Sequence, residues 1–410
     1  MLSVQEAQQR ILSHFKPLET IDIRLDDALG RVLSQPIHAP IDFPLFDNSS
    51  VDGFAARAED IANAEKNQPV TLNVIADIPA GNAANISITT GQAARIMTGA
   101  PLPAGADSVV MVEDTDVNQR EIVGSAAPEQ VKIFKATRRG ENIRWRGADF
   151  SIGQEILPSG MNLRPQDVGM LTMLGSASVP VIRKPRVALI SSGDELIPIG
   201  EPLTAGKIYD SNSHMLAAFI QTAGCEVFRL GVAADREAAA QEILQRAAQT
   251  QPDVILSSAG VSVGAFDYMK SAVEKSGALN FWKVNMRPGK PLAFGMYQGI
   301  PFFGLPGNPV SSYVSFLVFV KPALEKLSGK TKNQQTRVMV KLKEDVESDG
   351  RESYLRAVVA FEDNKYVAAL AGHQGSGNLF SIVQANALVM IPAGVKFCPY
   401  GSEVKAWLLE

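Results

Sequence analysis

The sequence predicts a multidomain α/β chain: a central domain of alternating strands and helices, flanked by β-rich modules. Three observations carry that expectation. From Arg186 to about Gly329, apolar runs of strand length alternate with segments of helical period. Each of those runs ends in a polar turn, most of them bearing glycine. On either side, over 55–139 and 338–410, short apolar runs are separated by turn residues instead of helices.

Ser3 to about Lys16 predicts an amphipathic helix, because Ser3 and Glu6 match a capping box and Val4, Ala7, Ile11 and Phe15 recur at helical spacing. Pro17 should end it. Ile21–Leu25 alternates like a strand, and Asp26–Leu33 reads as a second helical turn. Pro40 to Phe54 sets carboxylates, an amide and hydroxyls among aromatics in a proline-held loop. Within it, Asp52 before Gly53 reads equally as a turn former and as a functional acid. Val70–Ile75, Ile86–Ile88, Ala93–Ile96 and Val109–Val112 are predicted strands. Thr98 follows one directly, placed either to bind a ligand or to bond its own backbone. Arg138 to Asp149 carries four arginines, a pattern of a solvated charge run that also suits a surface holding an acid. Arg164-Pro165 opens a helix that Gly175 closes.

In the central region Val187–Ile190 ends in Ser191-Ser192-Gly193-Asp194-Glu195; Ser211 or Asn212 caps a helix closed by Gly224; and Glu226–Leu230 leads to Asp235. The run Asp253–Leu256 breaks into a glycine-rich turn, Ser257 to Asp267, ahead of a helix over Tyr268–Lys275. Phe281–Val284 leads to Arg287-Pro288-Gly289-Lys290-Pro291, and Phe302–Leu305 to Pro306-Gly307-Asn308-Pro309 and a further helix that Lys321-Pro322 should stop. In an open α/β sheet the ligand lies beyond the carboxyl ends of the strands, so Ser257, Ser262, Asp267, Arg287, Lys290 and Asn308 share one rim. Hydroxyls, glycine amides and cations there suit a phosphate or similar anion. Neither a Walker loop nor a dinucleotide fingerprint matches the glycine spacing. Glu195, Asp235 and Asp267 each follow a strand; like charges that close together are sensible with a cation, and magnesium fits oxygen ligands plus phosphate.

The C-terminal region offers Arg356 and the run Gly372-His373-Gln374-Gly375-Ser376-Gly377-Asn378, which also read as plain turn chemistry. A hydrophobic content of 46% with 20% charged residues is that of globular protein. A formal net charge of −4 argues against nonspecific nucleic-acid binding. Cys225 and Cys398 are too few for a disulfide framework, and the four histidines do not cluster into a metal site. With no signal peptide and no apolar span, a cytoplasmic protein without membrane partners is expected.

These motifs together resemble the molybdopterin molybdenumtransferase family, which includes MoeA and the C-terminal domain of gephyrin. The likeness runs through Phe46-Asp47-Asn48-Ser49, Val51-Asp52-Gly53, Arg95 to Pro101, Arg146-Gly147 with Asp149, Ser192 to Leu196, Gly260 to Gly264, Pro288 to Pro291, Gly304 to Ser311 and Gly372 to Ser376. It implies a doubly wound, molybdopterin-binding MoaB/Mog-like α/β domain over 184–329 and a mixed N-terminal region split into 1–45 and 141–183. A β-rich domain over 46–140 and a small β-barrel-like domain over 330–410 complete the implied organisation. The implied activity is insertion of molybdate, a substrate, into adenylylated molybdopterin with magnesium-dependent release of AMP, by a homodimer in which the Asp52 and Thr98 loop faces the partner's α/β domain. Handover to a molybdopterin adenylyltransferase and to molybdoenzymes is implied too. By motif, Glu195 and Asp267 would hold magnesium beside Asp235, and Ser257, Gly260, Ser262 and Gly264 would cradle the nucleotide phosphates, with Pro306 and Asn308 on the same substrate rim. Arg287, Lys290, Pro291, Arg356 and Ser376 would hold molybdate; Asp52, Thr98, Asp149 and Lys283 complete the set. The sequence departs from the family pattern at Ala259, usually glycine, and at Arg287, commonly lysine. The competing readings are an ATP-dependent molybdopterin adenylyltransferase and a non-catalytic scaffold for molybdopterin or molybdate.

Overall fold

The alternating apolar runs of the central region fold into one six-stranded sheet. In chain order its strands and helices are β1 (Arg186–Ser192), α1 (Ser211–Thr222), β2 (Glu226–Ala233), α2 (Glu237–Gln249), β3 (Val254–Ala259), α3 (Ala265–Ser276), β4 (Leu279–Lys283), β5 (Pro291–Tyr297), β6 (Ile300–Leu305) and α4 (Pro309–Ser315). The computed structural model describes residues 1–82, 84–117, 126–259, 265–276, 279–331 and 336–409. The strand order is β2-β1-β3-β6-β5-β4. β1 runs parallel to β2 and β3, and β3 to β6, whereas β5 is antiparallel to both its neighbours. Direction of strand addition reverses between β1 and β3, which opens a crevice at their carboxyl ends.

Both faces of this sheet are covered, which is why its parallel strands read as unbroken apolar runs. Val187, Leu189, Val254, Leu256, Phe303 and Leu305 belong to the larger core, with α1, α4 and the N-terminal helix. Ala188, Ile190, Ile255 and Phe302 enter a second core with α2 and α3. The helix Val4–Ser13 has its capping box formed and buries Val4, Ala7 and Ile11. Just past it, Phe15 stacks on Phe303 at 6.0 Å and meets Phe294 at 6.2 Å. Chain segments far apart in sequence thus share one core.

Three local expectations differ. Asp210, rather than Ser211 or Asn212, caps α1, its side chain accepting from the Ser213 backbone N–H. The helix beginning at Pro309 does not stop at Lys321-Pro322: a π-helical turn, Phe316–Val320, carries it into Lys321–Leu327. Pro322 cannot donate to the Val318 carbonyl four residues back, and Gln8 Nε2 donates to that carbonyl instead, at 2.8 Å. Ile86–Ile88 contributes a single bridge at Ser87 instead of a strand.

Beyond the sheet, β7 (Arg337–Leu342), β8 (Glu352–Glu362), β9 (Lys365–Leu370), β10 (Ala387–Ile391) and β11 (Glu403–Leu408) close into a five-stranded ring in the order β8-β9-β7-β11-β10 and back to β8. The short strand Met286–Arg287 adds to β8 at Glu352 and Ser353. That pairing ties the loop after β4 to the barrel.

The chain divides into two compact units, Met1–Gln35 with Ser159–Glu410, and Pro36–Pro158. The second holds a five-stranded sheet in the order Ser108–Met111, Gly53–Ala56, Gln92–Ile96, Val70–Ile78 and Gln130–Ile133. Gly53 is required by packing, since a Cβ there would lie 1.9 Å from the Val110 carbonyl oxygen. Among the described residues no helix is long and apolar enough to cross a membrane.

Phe15→Ala should destabilise the protein by about 3–5 kcal/mol, the usual loss for a buried phenylalanine. A urea titration followed by far-UV circular dichroism checks this, and an unchanged midpoint would show that the N-terminal helix is not part of the sheet's core.

Candidate functional site

Two adjoining cavities lie where the sheet's carboxyl edge meets the barrel, and they share Asn308. The first, about 690 Å³, is lined by Ser192 and Glu195 after β1, Tyr209 to Asn212 at the start of α1, Ser258 on β3, and Gly307 to Pro309 after β6. Its position is the crevice that the strand order dictates. Local turns hold it open. Ser191 Oγ donates to Asp210 at 2.6 Å, and Asn212 Nδ2 to the Gly307 carbonyl at 2.6 Å. Gly193 has φ +143°, and a Cβ there would sit 2.6 Å from a Glu195 carboxylate oxygen, so glycine lets that carboxylate fold back over the turn.

Carboxylates gather at one side of this cleft. The Asp235 N–H donates to Asp194 at 3.1 Å and the Asp194 N–H to Asp235 at 3.4 Å. Burial raises the Asp235 carboxyl above the usual carboxylate range; its bond from Asp194 N–H opposes this, and the charges of Asp194 and Glu195 add to it. Asp235 Oδ1 is buried without a hydrogen-bond partner among the described residues. Such a donor set, all oxygen and strained by like charge, suits a hard divalent cation. Among the described residues no three acidic, histidine or cysteine side chains approach closely enough to enclose a metal. Asp267 falls in α3 with its side chain outside the described residues, as are Gly260, Ser262 and Gly264 altogether.

The second cavity, about 290 Å³, is strongly cationic. Arg287 and Lys290 come from the loop after β4, Pro306 and Asn308 from the turn after β6, Arg351 and Arg356 from the barrel, and Gly375 and Ser376 from the turn before the short helix Leu379–Gln384. Pro291 lines it as well. Arg356 is 1% exposed. Its Nε donates to Ser381 Oγ at 3.0 Å, and its Nη2 to the carbonyls of Gly375 at 3.1 Å and His373 at 3.3 Å. All these acceptors are neutral, and no carboxylate pairs with it among the described residues. Burial, then the charge of Arg287, push its guanidinium down to about 10. Asp349 answers other cations of the cavity: it bonds Arg351 at 2.9 Å and lies 4.0 Å from Arg287. A buried guanidinium with no counter-charge is costly unless an anion joins it.

Seven residues expected on sequence therefore meet around this cavity: Arg287, Lys290, Pro291, Pro306, Asn308, Arg356 and Ser376. Asn308 Nδ2 donates to Ser376 Oγ at 2.9 Å, joining the sheet edge to the barrel. Glu195 lines the first cleft, with Asp235 beside it. Ser257 is fully buried, its hydroxyl unpartnered among the described residues, and Ser258 lines the cleft in its place. Lys283 is exposed and lines neither cavity. Ser258, Asp210 and Arg351 were not singled out by sequence. Arg351 follows Asp349-Gly350 and looks like turn chemistry, and strand alternation alone does not say which of Ser257 and Ser258 meets a ligand.

Asp52, Thr98 and Asp149 belong to the other unit. There Asp52 Oδ1 accepts from both the backbone N–H and the hydroxyl of Thr98, each at 2.7 Å, so these two expected residues form one constellation. Asp149 pairs with Arg144 at 2.7 Å. Arg146 pairs with Asp42 at 2.8 Å, and Arg139 lies 3.7 Å from Asp107. Three of the run's four arginines face carboxylates of their own unit, which favours the structural reading of that run.

Residues 2–175 match the family model described as "MoeA N-terminal region (domain I and II)", 188–326 that of "Probable molybdopterin binding domain", and 339–409 that of "MoeA C-terminal region (domain IV)". A Nostoc sp. protein named molybdopterin molybdenumtransferase is 38% identical over 92% of this chain and 86% of its own length. One of the same name from Bacillus subtilis is 36% identical over 100% and 94%. The crystal structure of the molybdopterin biosynthesis MoeA protein from Pyrococcus horikoshii superposes with a TM-score of 0.85 at 31% identity, covering 100% of this chain and 99% of that one.

Asp235→Asn should raise the melting temperature in chelator-containing buffer at pH 7, on the order of 1–3 °C. The sign follows from the raised pKa: above it the ionised carboxylate costs stability, and the penalty disappears as protonation sets in at lower pH. Thermal melts of parent and variant should therefore converge on acidification. A variant that melts lower at pH 7 would contradict the assigned repulsion.

Proposed function

We propose that this chain, which belongs to the molybdopterin molybdenumtransferase family, inserts molybdate into adenylylated molybdopterin and releases AMP. The observation that carries the reading is the buried, carboxylate-free Arg356 in a small cationic cavity that adjoins a larger cleft through Asn308. A tetrahedral dianion fits the first need. A pterin joined to a nucleotide, long enough to span both spaces, fits the second.

In this reading Arg287, Lys290, Arg356 and Ser376 hold the oxyanion, with Pro291 shaping the wall. Charge-assisted hydrogen bonds of roughly 1.5–3 kcal/mol each offset its desolvation. Ser258, Gly260, Ser262 and Gly264 cradle the nucleotide phosphates, with Ser257 buried behind Ser258, and Pro306 with Asn308 aligns the pterin end between the two ligands. Magnesium, held by Glu195 and Asp267 with Asp235 beside them, would neutralise charge developing on the phosphoanhydride. The unpartnered Asp235 Oδ1 and the raised Asp235 pKa support a cation there. Holding phosphoanhydride and oxyanion side by side supplies the proximity on which the transfer depends.

We further infer a homodimer of four-region subunits, with boundaries near residues 45, 140, 183 and 329, in which the loop of Asp52 and Thr98 in one subunit faces the α/β domain of the other, and Asp149 and Lys283 complete the functional set. A cytoplasmic enzyme that receives its substrate from a molybdopterin adenylyltransferase and passes its product to molybdoenzymes accords with this chemistry. An adenylyltransferase would need the α/β domain alone. The cationic cavity instead draws Arg351, Arg356 and Ser376 from outside that domain, which favours molybdenum insertion.

Arg356→Gln should raise the molybdate concentration for half-maximal turnover roughly 10- to 100-fold, the loss of one charged contact, while AMP affinity stays within about twofold of the parent. Incubating protein with adenylylated molybdopterin, magnesium and molybdate, and following AMP release with molybdenum incorporation, measures this. Equal losses for molybdate and AMP would count against a separate oxyanion pocket. In the same assay Asp267→Asn should abolish most turnover with the fold intact; normal AMP release would remove Asp267 from the mechanism.

A further inference from the structure

Arg356 is held from behind by a turn that one imidazole closes, with Asn378 Nδ2 donating to the His373 carbonyl at 3.0 Å. His373 Nδ1 accepts a hydrogen bond from the Gly375 backbone N–H at 3.1 Å. A backbone N–H can only donate, so Nδ1 is unprotonated here. The ring lies so close that a Cβ on Gly375 would meet its Cε1 at 2.7 Å and Nδ1 at 2.8 Å. That closed turn brings the carbonyls of His373 and Gly375 together, and Arg356 Nη2 donates to both. The next residue, Ser376, is the one bonded by Asn308. Gln374 adds a second restraint, accepting from the Arg356 N–H and donating to the Arg356 carbonyl, each at 3.0 Å.

We propose that His373 is a positioning residue of the oxyanion cavity: its neutral Nδ1 closes the 373–375 turn and thereby sets both the Arg356 guanidinium and the Ser376 hydroxyl. It does not line the cavity, and it acts through residues that do. The inference rests on the reading of that cavity as the molybdate site. Its chemistry singles out one replacement. An asparagine side chain naturally accepts from the N–H two residues on, the Asx turn, so His373→Asn supplies the same bond without the ring. Alanine supplies none.

The test compares parent, His373→Ala, His373→Asn and Arg356→Gln for molybdate dependence of turnover, with AMP binding measured separately by calorimetry. His373→Ala should raise the half-saturating molybdate concentration about tenfold, the effect of one lost hydrogen bond of about 1.4 kcal/mol. Its rate at saturating molybdate and its AMP affinity should stay near the parent's. His373→Asn should restore molybdate affinity to within about twofold of the parent. A His373→Ala variant with parental molybdate dependence, or a His373→Asn variant as impaired as alanine, would overturn the proposal. If Arg356→Gln is affected and His373→Ala is not, the positioning role alone fails; if Arg356→Gln is also unaffected, the cavity's assignment fails with it.

Discussion

The site turns on a guanidinium taken out of water with no carboxylate to meet it among the described residues. Arg356 lies in a barrel strand, fully enclosed, bonded to a hydroxyl and two backbone carbonyls. Neutral acceptors satisfy its hydrogen bonds but leave its charge unanswered, and burial already pulls its pKa down. Such an arrangement persists in a fold when a ligand supplies the missing negative charge. Arg287, Lys290 and Arg351 around the same cavity increase that demand, and Asp349 meets only part of it.

The rest of the larger unit can be understood as the frame that makes this possible. The strand order places a crevice at the carboxyl ends of β1 and β3, and the turn after β6 borders both crevice and cationic cavity through Asn308. Met286–Arg287 pairs with Glu352 and Ser353 of β8, just ahead of Arg356, so a loop of the α/β domain is fixed in register against the barrel. Acidic groups collect on the crevice side at Asp194, Glu195 and Asp235, and basic groups on the cavity side. The separation of sign accords with the proposed reading, in which a cation would sit by the phosphoanhydride and the oxyanion by the basic groups.

Much of this was legible in the sequence because strand-terminating turns of an α/β sheet necessarily share an edge. Glu195, Arg287, Lys290 and Asn308 could be placed on one rim from apolar runs and glycine turns alone. The sequence offers Arg356 with plain turn chemistry as the competing reading, and only the fold shows it in β8, buried against Ser381. What stayed hidden depends on contacts between distant segments. Arg351 looks like part of a turn until Asp349 and the Met286 carbonyl are seen to hold it. His373 stands in a run that the sequence offers, but its role needs the Gly375 N–H against its ring. The pairing of Thr20–Arg24 with Ser178–Ile182, and the packing of Phe15 on Phe303, are equally non-local. Conversely the arginine-rich run from Arg138, conspicuous in sequence, largely neutralises itself within its own unit.

The central claim is that a metal oxyanion occupies the cavity behind Arg356. Crystals soaked in molybdate and measured at the molybdenum absorption edge would test it most directly. The account predicts an anomalous peak within hydrogen-bond reach of Arg356, Lys290 and Ser376, absent from Arg356→Gln crystals. A peak confined to surface lysines, or one equally strong in the variant, would contradict it.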